Sequence, residues 1–440
     1  MPNYTIMTSL AEAFKILHKY LTNKYFLIIN ITIWTIIQVI TVINYYPKEL
    51  ISDPGMYIYY AQSCAHDGTM YPNFTHYHSK YIFAPGWINF LILCIKLFGS
   101  VDIVPYFNIL FNIIIIYLIF KITLNLLQQE SIAYLSAYLY MILPSSWTMA
   151  PYLYTEIFYV VLTLSSIYFI LKRSIASYIL AGIFIALAYW VRPLAIAWII
   201  PSIIFLWFTS KKISPIAIYT TGIICTCTII GIMTHRNFPD YIYKSSTGGV
   251  NLIMGANDLA NGLYCGDAVD KAGAPGYLPG LYDGEDTVKI KSASGNSYFI
   301  EKYSNKYTYK DCDSIWKSRS IEWIKSNPGK WVSMFPYKTL KLFEASGIYI
   351  PTDSFIIKIY NFFIGRITFI CLVLLCIYAA FKFLWKDKEG WYLLLPCILC
   401  TGMTIITVVQ VRYNYILQPY IVIIASTSIR FLYNRYLKAK

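Results

Sequence analysis

Apolar runs long enough to cross a lipid bilayer recur along this chain. Tyr25–Tyr46, Pro105–Leu124, Ser214–Thr234 and Ile367–Trp385 each supply the ~18–20 residues that a spanning helix requires. Inside hydrocarbon every backbone N–H and C=O must be satisfied within the chain, so such runs fold as helices. Composition agrees: 57% of the 440 residues are hydrophobic and 13% charged, where a soluble domain carries about a quarter charged residues. The expected fold is an all-α polytopic membrane protein of about ten spans. These are placed at 25–46, 105–125, 131–147, 152–171, 175–191, 194–210, 214–235, 367–385, 391–408 and 412–432.

The net charge of +14 is a topology signal rather than a nucleic-acid footprint. With alternate connections assigned to the cytoplasm, Lys15, Lys19, Lys24, Lys121, Lys172, Arg173, Lys211 and Lys212 share one side. Lys382, Lys386, Lys388, Arg430, Arg435, Lys438 and Lys440 join them, while Lys48, Lys80, Arg192 and Arg412 lie opposite. That asymmetry follows the positive-inside rule and puts both termini in the cytoplasm. An even number of crossings follows. The 15-residue stretch Pro85–Gly99, which holds Lys96, is therefore read as a re-entrant or interfacial helix.

Three regions result: an N-terminal membrane module (1–235) with a first outer loop at 47–84, a large outer loop at 236–366, and C-terminal spans at 367–440. The 236–354 portion of the large loop nearly balances its acids and bases, so it is no polyanion patch. Within it Ile321–Phe343 mixes Trp, Ile, Met and Leu with lysines, the pattern of an amphipathic helix on a membrane surface. Cys265 and Cys312 share this loop and could form a disulfide in an oxidising compartment. Cys397 and Cys400 have CxxC spacing in an apolar span with no nearby His, and read as small hydrophobes.

The functional signal begins after the first span. In Ser52-Asp53-Pro54-Gly55-Met56-Tyr57, Asp53 can cap the following helix with Pro54 in its first turn. Gly68-Thr69-Met70-Tyr71-Pro72, Ala84-Pro85-Gly86-Trp87 and Leu97-Phe98-Gly99 follow. In that order and spacing the segment resembles the first outer loop of C-type (GT-C) membrane glycosyltransferases, in the branch of the bacterial protein O-mannosyltransferase-like enzymes and the lipid A aminoarabinose transferase. Further similarities lie at Leu143-Pro144 through Thr155-Glu156, at Trp190-Val191-Arg192-Pro193, and at Asn251-Leu252-Ile253-Met254-Gly255-Ala256-Asn257 with Gly262-Leu263-Tyr264. Val411-Arg412-Tyr413 with Pro419 completes the series. The chain departs from the family pattern at His76, His78, Lys80 and the lone Pro85.

The resemblance implies transfer of a sugar from a polyprenyl-phosphate carrier to a lipid, glycan or protein acceptor. The reaction would take place at the outer face of a bacterial inner membrane, with an acidic residue of the first loop central and with no obligatory metal or cofactor. A glycosyl phosphate already carries a good leaving group, so the chemistry needs a base for the acceptor hydroxyl and cations for the departing phosphate. Asp53 would be the base in one inverting displacement, and Arg192 would hold the phosphate, with Arg412 as a second candidate. Glu156 could bind hydroxyls or orient Arg192. Lys80, Asn251, Asn257 and Lys338 (with Lys341) are further substrate-binding candidates, and Tyr57 could line a sugar pocket. Other readings stay open: Arg192 and Arg412 as headgroup snorkels, Glu156 as a helix cap, His76 and His78 as a metal pair or as solvent-facing loop residues. An O-antigen polymerase or ligase would carry its key charges in the later loop. A transporter would show repeats or mid-membrane charges, and the spans are nearly free of ionisable residues.

Overall fold

The computed structural model describes residues 20–47, 52–289, 297–351, 353–382, 384 and 388–436. Lys15, Lys19, Lys48, Lys386, Lys438 and Lys440 of the topology argument lie outside them. Among the described residues seven helices are long and apolar enough to cross a membrane. They are Lys24–Tyr45, Val104–Leu127, Pro193–Ser210, Ile213–His235, Phe355–Lys382, Lys388–Ile406 and Val411–Tyr433. The expected spans at 131–147, 152–171 and 175–191 are shorter helices: Glu130–Ile142, Glu156–Leu171 and Ile175–Val191. Pro85–Phe98, of 14 residues, is about 21 Å long, less than the ~30 Å hydrocarbon core.

Local chemistry sets these boundaries. Asn23 accepts from the Tyr25 N–H at 2.8 Å and opens the first long helix. Pro85 starts its helix, and Gly99 closes it in the left-handed conformation at φ 77°. Helices Ile175–Val191 and Ile213–His235 meet where two glycines allow close approach. A Cβ on Gly182 would overlap the Tyr219 carbonyl, and one on Gly222 would lie 2.6 Å from the Ile179 carbonyl. Small residues at such crossings are how membrane helices pack without a hydrophobic driving force. Outward faces stay apolar: Ile28, Ile33, Ile40 and Ile43 of the first helix are all exposed.

Several expectations change. The span placed at 367–385 begins at Phe355 and runs through a π-helical turn at 361–368. Phe355, Ile356, Phe362 and Phe363 are exposed and extend the apolar surface into what the sequence assigns to the outer loop. The amphipathic stretch is not one helix but three: Tyr309–Ser326, Pro328–Ser333 and Phe335–Phe343. Pro328 and Pro336 each sit in the first turn of a new segment, because proline cannot continue the preceding helix. The central loop also holds an antiparallel hairpin, Tyr282–Lys289 with Ser297–Tyr303, that an all-α reading leaves out. Cys265 and Cys312 are free thiols. Cys312 is buried with Val250, Ile253 and Trp316 in a satellite core, where burial pushes its thiol up to about 12.

The two loop regions expected on the outer face pack on each other. Ile82 exchanges hydrogen bonds with Ser246, its N–H donating to Oγ at 2.6 Å and its carbonyl accepting from the Ser246 N–H at 2.9 Å. The Tyr309 N–H donates to the Tyr77 carbonyl at 3.1 Å. Together they roof the ends of the apolar helices.

Candidate active site

Four charged residues, each at a helix end, meet beneath that roof. Asp53 lies in the first turn of Ser52–His66 and Glu156 opens Glu156–Leu171. Arg192 is the residue between Ile175–Val191 and the turn that starts at Pro193. Pro193 disfavours a helical residue before it, so Arg192 is extended at φ −144° and ψ 126°, and the helix ends where the guanidinium is needed. Arg412 lies in a 3₁₀ helix, Val411–Leu417.

The charges alternate. Arg412 donates to Asp53 Oδ2, and its Nε is 3.8 Å from Glu156 Oε1. Arg192 Nη1 lies 2.8 Å from the same oxygen. Aromatic faces flank the cations: Tyr413 is 5.3 Å from the Arg192 guanidinium carbon and Tyr154 4.9 Å from that of Arg412, within cation–π range. The side chain of Glu156 is 1% exposed and that of Asp53 29%. Glu156 is thus a buried carboxylate facing both guanidiniums from the first position of its helix, whereas Asp53 is reachable.

These residues line a cavity of about 490 Å³, with Tyr57, Tyr81, Asn251, Tyr264, Gln410 and Tyr413 among its walls. That volume falls in the ordinary range for small-molecule sites. The Arg412 segment is anchored from behind. Asn414 Nδ2 donates to the Leu342 and Ala345 carbonyls at 2.9 and 2.6 Å. Tyr415 bonds Asn112 at 3.0 Å and Tyr140 at 2.9 Å, and Asn112 in turn bonds Gln38 at 2.7 Å. A polar seam through the helices thus fixes where Arg412 points.

Of the candidates drawn from sequence, Asp53, Tyr57, Glu156, Arg192, Asn251 and Arg412 share the cavity. Lys80, Asn257 and Lys338 do not line it. Lys80 ties the loops together through Glu301 at 2.9 Å, Asp270 at 3.2 Å and the Tyr282 hydroxyl at 3.2 Å. Its burial alone would lower its pKa, but Tyr81, Tyr282, Glu301 and Asp270 hold it well above the ordinary lysine value. Asn257 is consumed locally: it donates to the Ile253 carbonyl at 2.6 Å and accepts from the Leu259 N–H at 2.7 Å. Lys338 is fully buried and donates to the carbonyls of Ile405 and Thr407. Burial brings its ammonium down to about 8. Lys341 pairs with Glu344 at 2.6 Å.

The histidines also differ from expectation. His76 is buried, against Tyr60 and Tyr71 at 4.9 and 4.7 Å, with Nδ1 2.7 Å from Asn73 Oδ1. His78 instead meets the Tyr307 carbonyl at 3.1 Å. Among the described residues no group of three His, Cys, Asp or Glu gathers as a metal site. Tyr154, Tyr264, Tyr413 and Gln410 were not singled out as site residues from sequence. Their signal was adjacency to Glu156, Gly262 and Arg412, hidden among 42 tyrosines.

No protein-family model matches the chain, and no curated protein sequence matches it. Among solved structures it is similar to the oligosaccharyltransferase of Archaeoglobus fulgidus. The apo form gives a TM-score of 0.49 at 12% identity, covering 95% of this chain and 52% of that one. The same enzyme tethered by a disulfide to an acceptor peptide containing the NVT sequon gives 0.48 at 12% identity, covering 94% and 50%. The chain thus spans about half the length of those structures.

Proposed function

We propose that this protein transfers a sugar from a polyprenyl-phosphate donor to an acceptor hydroxyl at the outer face of the membrane. The observation that carries the reading is the pair of guanidiniums, Arg192 and Arg412, gathered around one buried carboxylate with an accessible carboxylate, Asp53, on the cavity side. A lipid-linked donor keeps its chain in hydrocarbon and presents its phosphate at headgroup depth, so cations belong at the ends of apolar helices, with a base beside them.

In the reaction Asp53 accepts the proton of the acceptor hydroxyl as its oxygen bonds the anomeric carbon. The bond from that carbon to the phosphate oxygen breaks, and the electron pair leaves with the polyprenyl phosphate. Arg192 and Arg412 stabilise the growing phosphate charge, each charge-assisted contact contributing roughly 1.5–3 kcal/mol. Anomeric configuration inverts. Arg412 also pairs with Asp53, so an arriving phosphate would compete for that guanidinium and free the base.

The test uses the full chain in lipid nanodiscs with decaprenyl-phosphate-linked mannose, glucose and 4-amino-arabinose, and a membrane extract as acceptor source. Consumption of one donor, abolished by Asp53→Asn, is the expected result. If no donor is consumed and decaprenyl phosphate itself does not bind, the reading is wrong.

A further inference from the structure

Lys338 carries a charge into the protein interior without a counter-ion. Its side chain is fully buried, and among the described residues it forms no ion pair with a carboxylate. Its ammonium instead donates to the Thr407 carbonyl at 2.6 Å and the Ile405 carbonyl at 3.1 Å. These are end groups of helix Lys388–Ile406, where unpaired carbonyls and the negative end of the helix dipole collect. The site of this contact matters. After Ile406 the chain leaves the helix, pairs through Val409 with Leu263 in a parallel bridge, and enters the 3₁₀ helix that bears Arg412.

The cavity is on the other side of the same segment. Thr404, Thr407, Val408 and Gln410 line it together with Arg412 and Tyr413, whereas Lys338 does not. Lys338 reaches its carbonyls from helix Phe335–Phe343, whose inner residues Lys338 and Leu342 are buried while Leu340 and Tyr337 are 71% and 43% exposed. Gly255 and Gly262 give the lysine its room: a Cβ on either would stand 3.3 Å from Lys338 atoms.

We propose that Lys338 is a positioning residue. By clamping the carbonyls at which one helix ends, it fixes the non-helical segment 407–410 and the direction of Arg412, and so sets the grip of the site on an anionic headgroup. This role rests on the reading of Arg412 as a phosphate ligand, but the clamp can be measured without any substrate. It also replaces direct phosphate contact, the role that sequence suggests for Lys338.

Hydrogen–deuterium exchange on the full chain in nanodiscs reads the clamp directly. Lys338→Met, close in size but without a donor, should speed exchange of the 408–413 amides about tenfold, the loss expected for one charge-assisted bond, and leave helix Glu156–Leu171 unchanged. Decaprenyl phosphate should bind that variant about tenfold more weakly, and Lys338→Arg, which keeps charge and donors, should recover most of both effects. Wild-type exchange at 408–413 in Lys338→Met overturns the proposal. So does equal loosening of Glu156–Leu171, which would make Lys338 a general element of the fold. If the wild type does not bind decaprenyl phosphate, the assignment of the ligand fails, while the exchange data still decide the clamp.

Discussion

Arg412 holds the carboxylate of Asp53 from a position 359 residues further along the chain, and the same guanidinium faces Glu156. One arginine therefore bridges an accessible acid and a buried one. The two acids have different work. Glu156 neutralises cations in a place where an unpaired charge is costly, whereas Asp53 can exchange its partner for solvent or substrate.

Asp53→Asn should abolish transfer and leave the protein folded. Its side chain is 29% exposed, so the amide meets water without a desolvation penalty, and it keeps an oxygen for Arg412. What disappears is the base. Turnover of a decaprenyl-phosphate sugar at the wild-type rate by a normally eluting variant would exclude this role.

Arg192→Ala should weaken decaprenyl phosphate binding by roughly 10–150-fold, the value of one charge-assisted contact of about 1.5–3 kcal/mol. Lysine there should recover part of the loss, since it keeps the charge without the planar fork. Titration by tryptophan fluorescence reads both. Equal affinity for the alanine variant and the wild type would leave Arg192 as a counter-ion of Glu156 only.

The sequence exposed the parts of this site unevenly. Hydropathy located the apolar helices, because bilayer thickness imposes a length that local composition must satisfy. Asp53, Glu156 and Arg192 were visible as charges at helix ends, with Arg192 marked further by Pro193. Lys338 lies behind the cavity wall, not in it, for a physical reason. An amphipathic pattern puts lysines toward water, and nothing local announces that one of them turns inward to cap carbonyls 67 and 69 residues later. The start of the Phe355–Lys382 helix was hidden by Asn361 and Arg366, polar residues that the π-helical turn absorbs.

The loop that bears His76 should loosen in acid. His76 is buried and its pKa is held down to about 4, chiefly by burial. A histidine depressed below its unfolded value near 6.5 contributes stability that is fully present above that pH and is lost as pH falls toward 4. The loss approaches about 3 kcal/mol at the lower end, from ~1.4 kcal/mol per pKa unit. Proteolysis of the 69–84 segment should therefore rise between pH 6.5 and 4.5 in the wild type. A His76→Gln variant, which cannot titrate, should show a flatter profile. Identical pH profiles would rule out His76 as the cause.

Gly255→Ala tests whether the junction behind Arg412 is as tightly packed as the structure describes. A Cβ at Gly255 would overlap the Thr407 carbonyl and lie 2.7 Å from its carbon and 3.3 Å from the Lys338 ammonium. The obstacle is backbone, already held by Lys338, so it cannot swing aside as a side-chain tip would. Relief requires either the Gly248–Gly255 helix to back away or segment 407–410 to shift, and overpacking of this kind costs about 1–3 kcal/mol. Both routes move cavity walls, since Val250 and Met254 lie on the first and Thr407, Val408 and Gln410 on the second. The variant should thus melt earlier and bind decaprenyl phosphate more weakly, although residue 255 is not itself in the cavity. Gly402 supplies the control: it lies in helix Lys388–Ile406 with nothing within 4 Å of an added Cβ. Alanine there should be neutral or stabilising by up to about 1 kcal/mol. If Gly255→Ala melts and binds like Gly402→Ala, the close approach of Gly255 to Thr407 does not hold the site together.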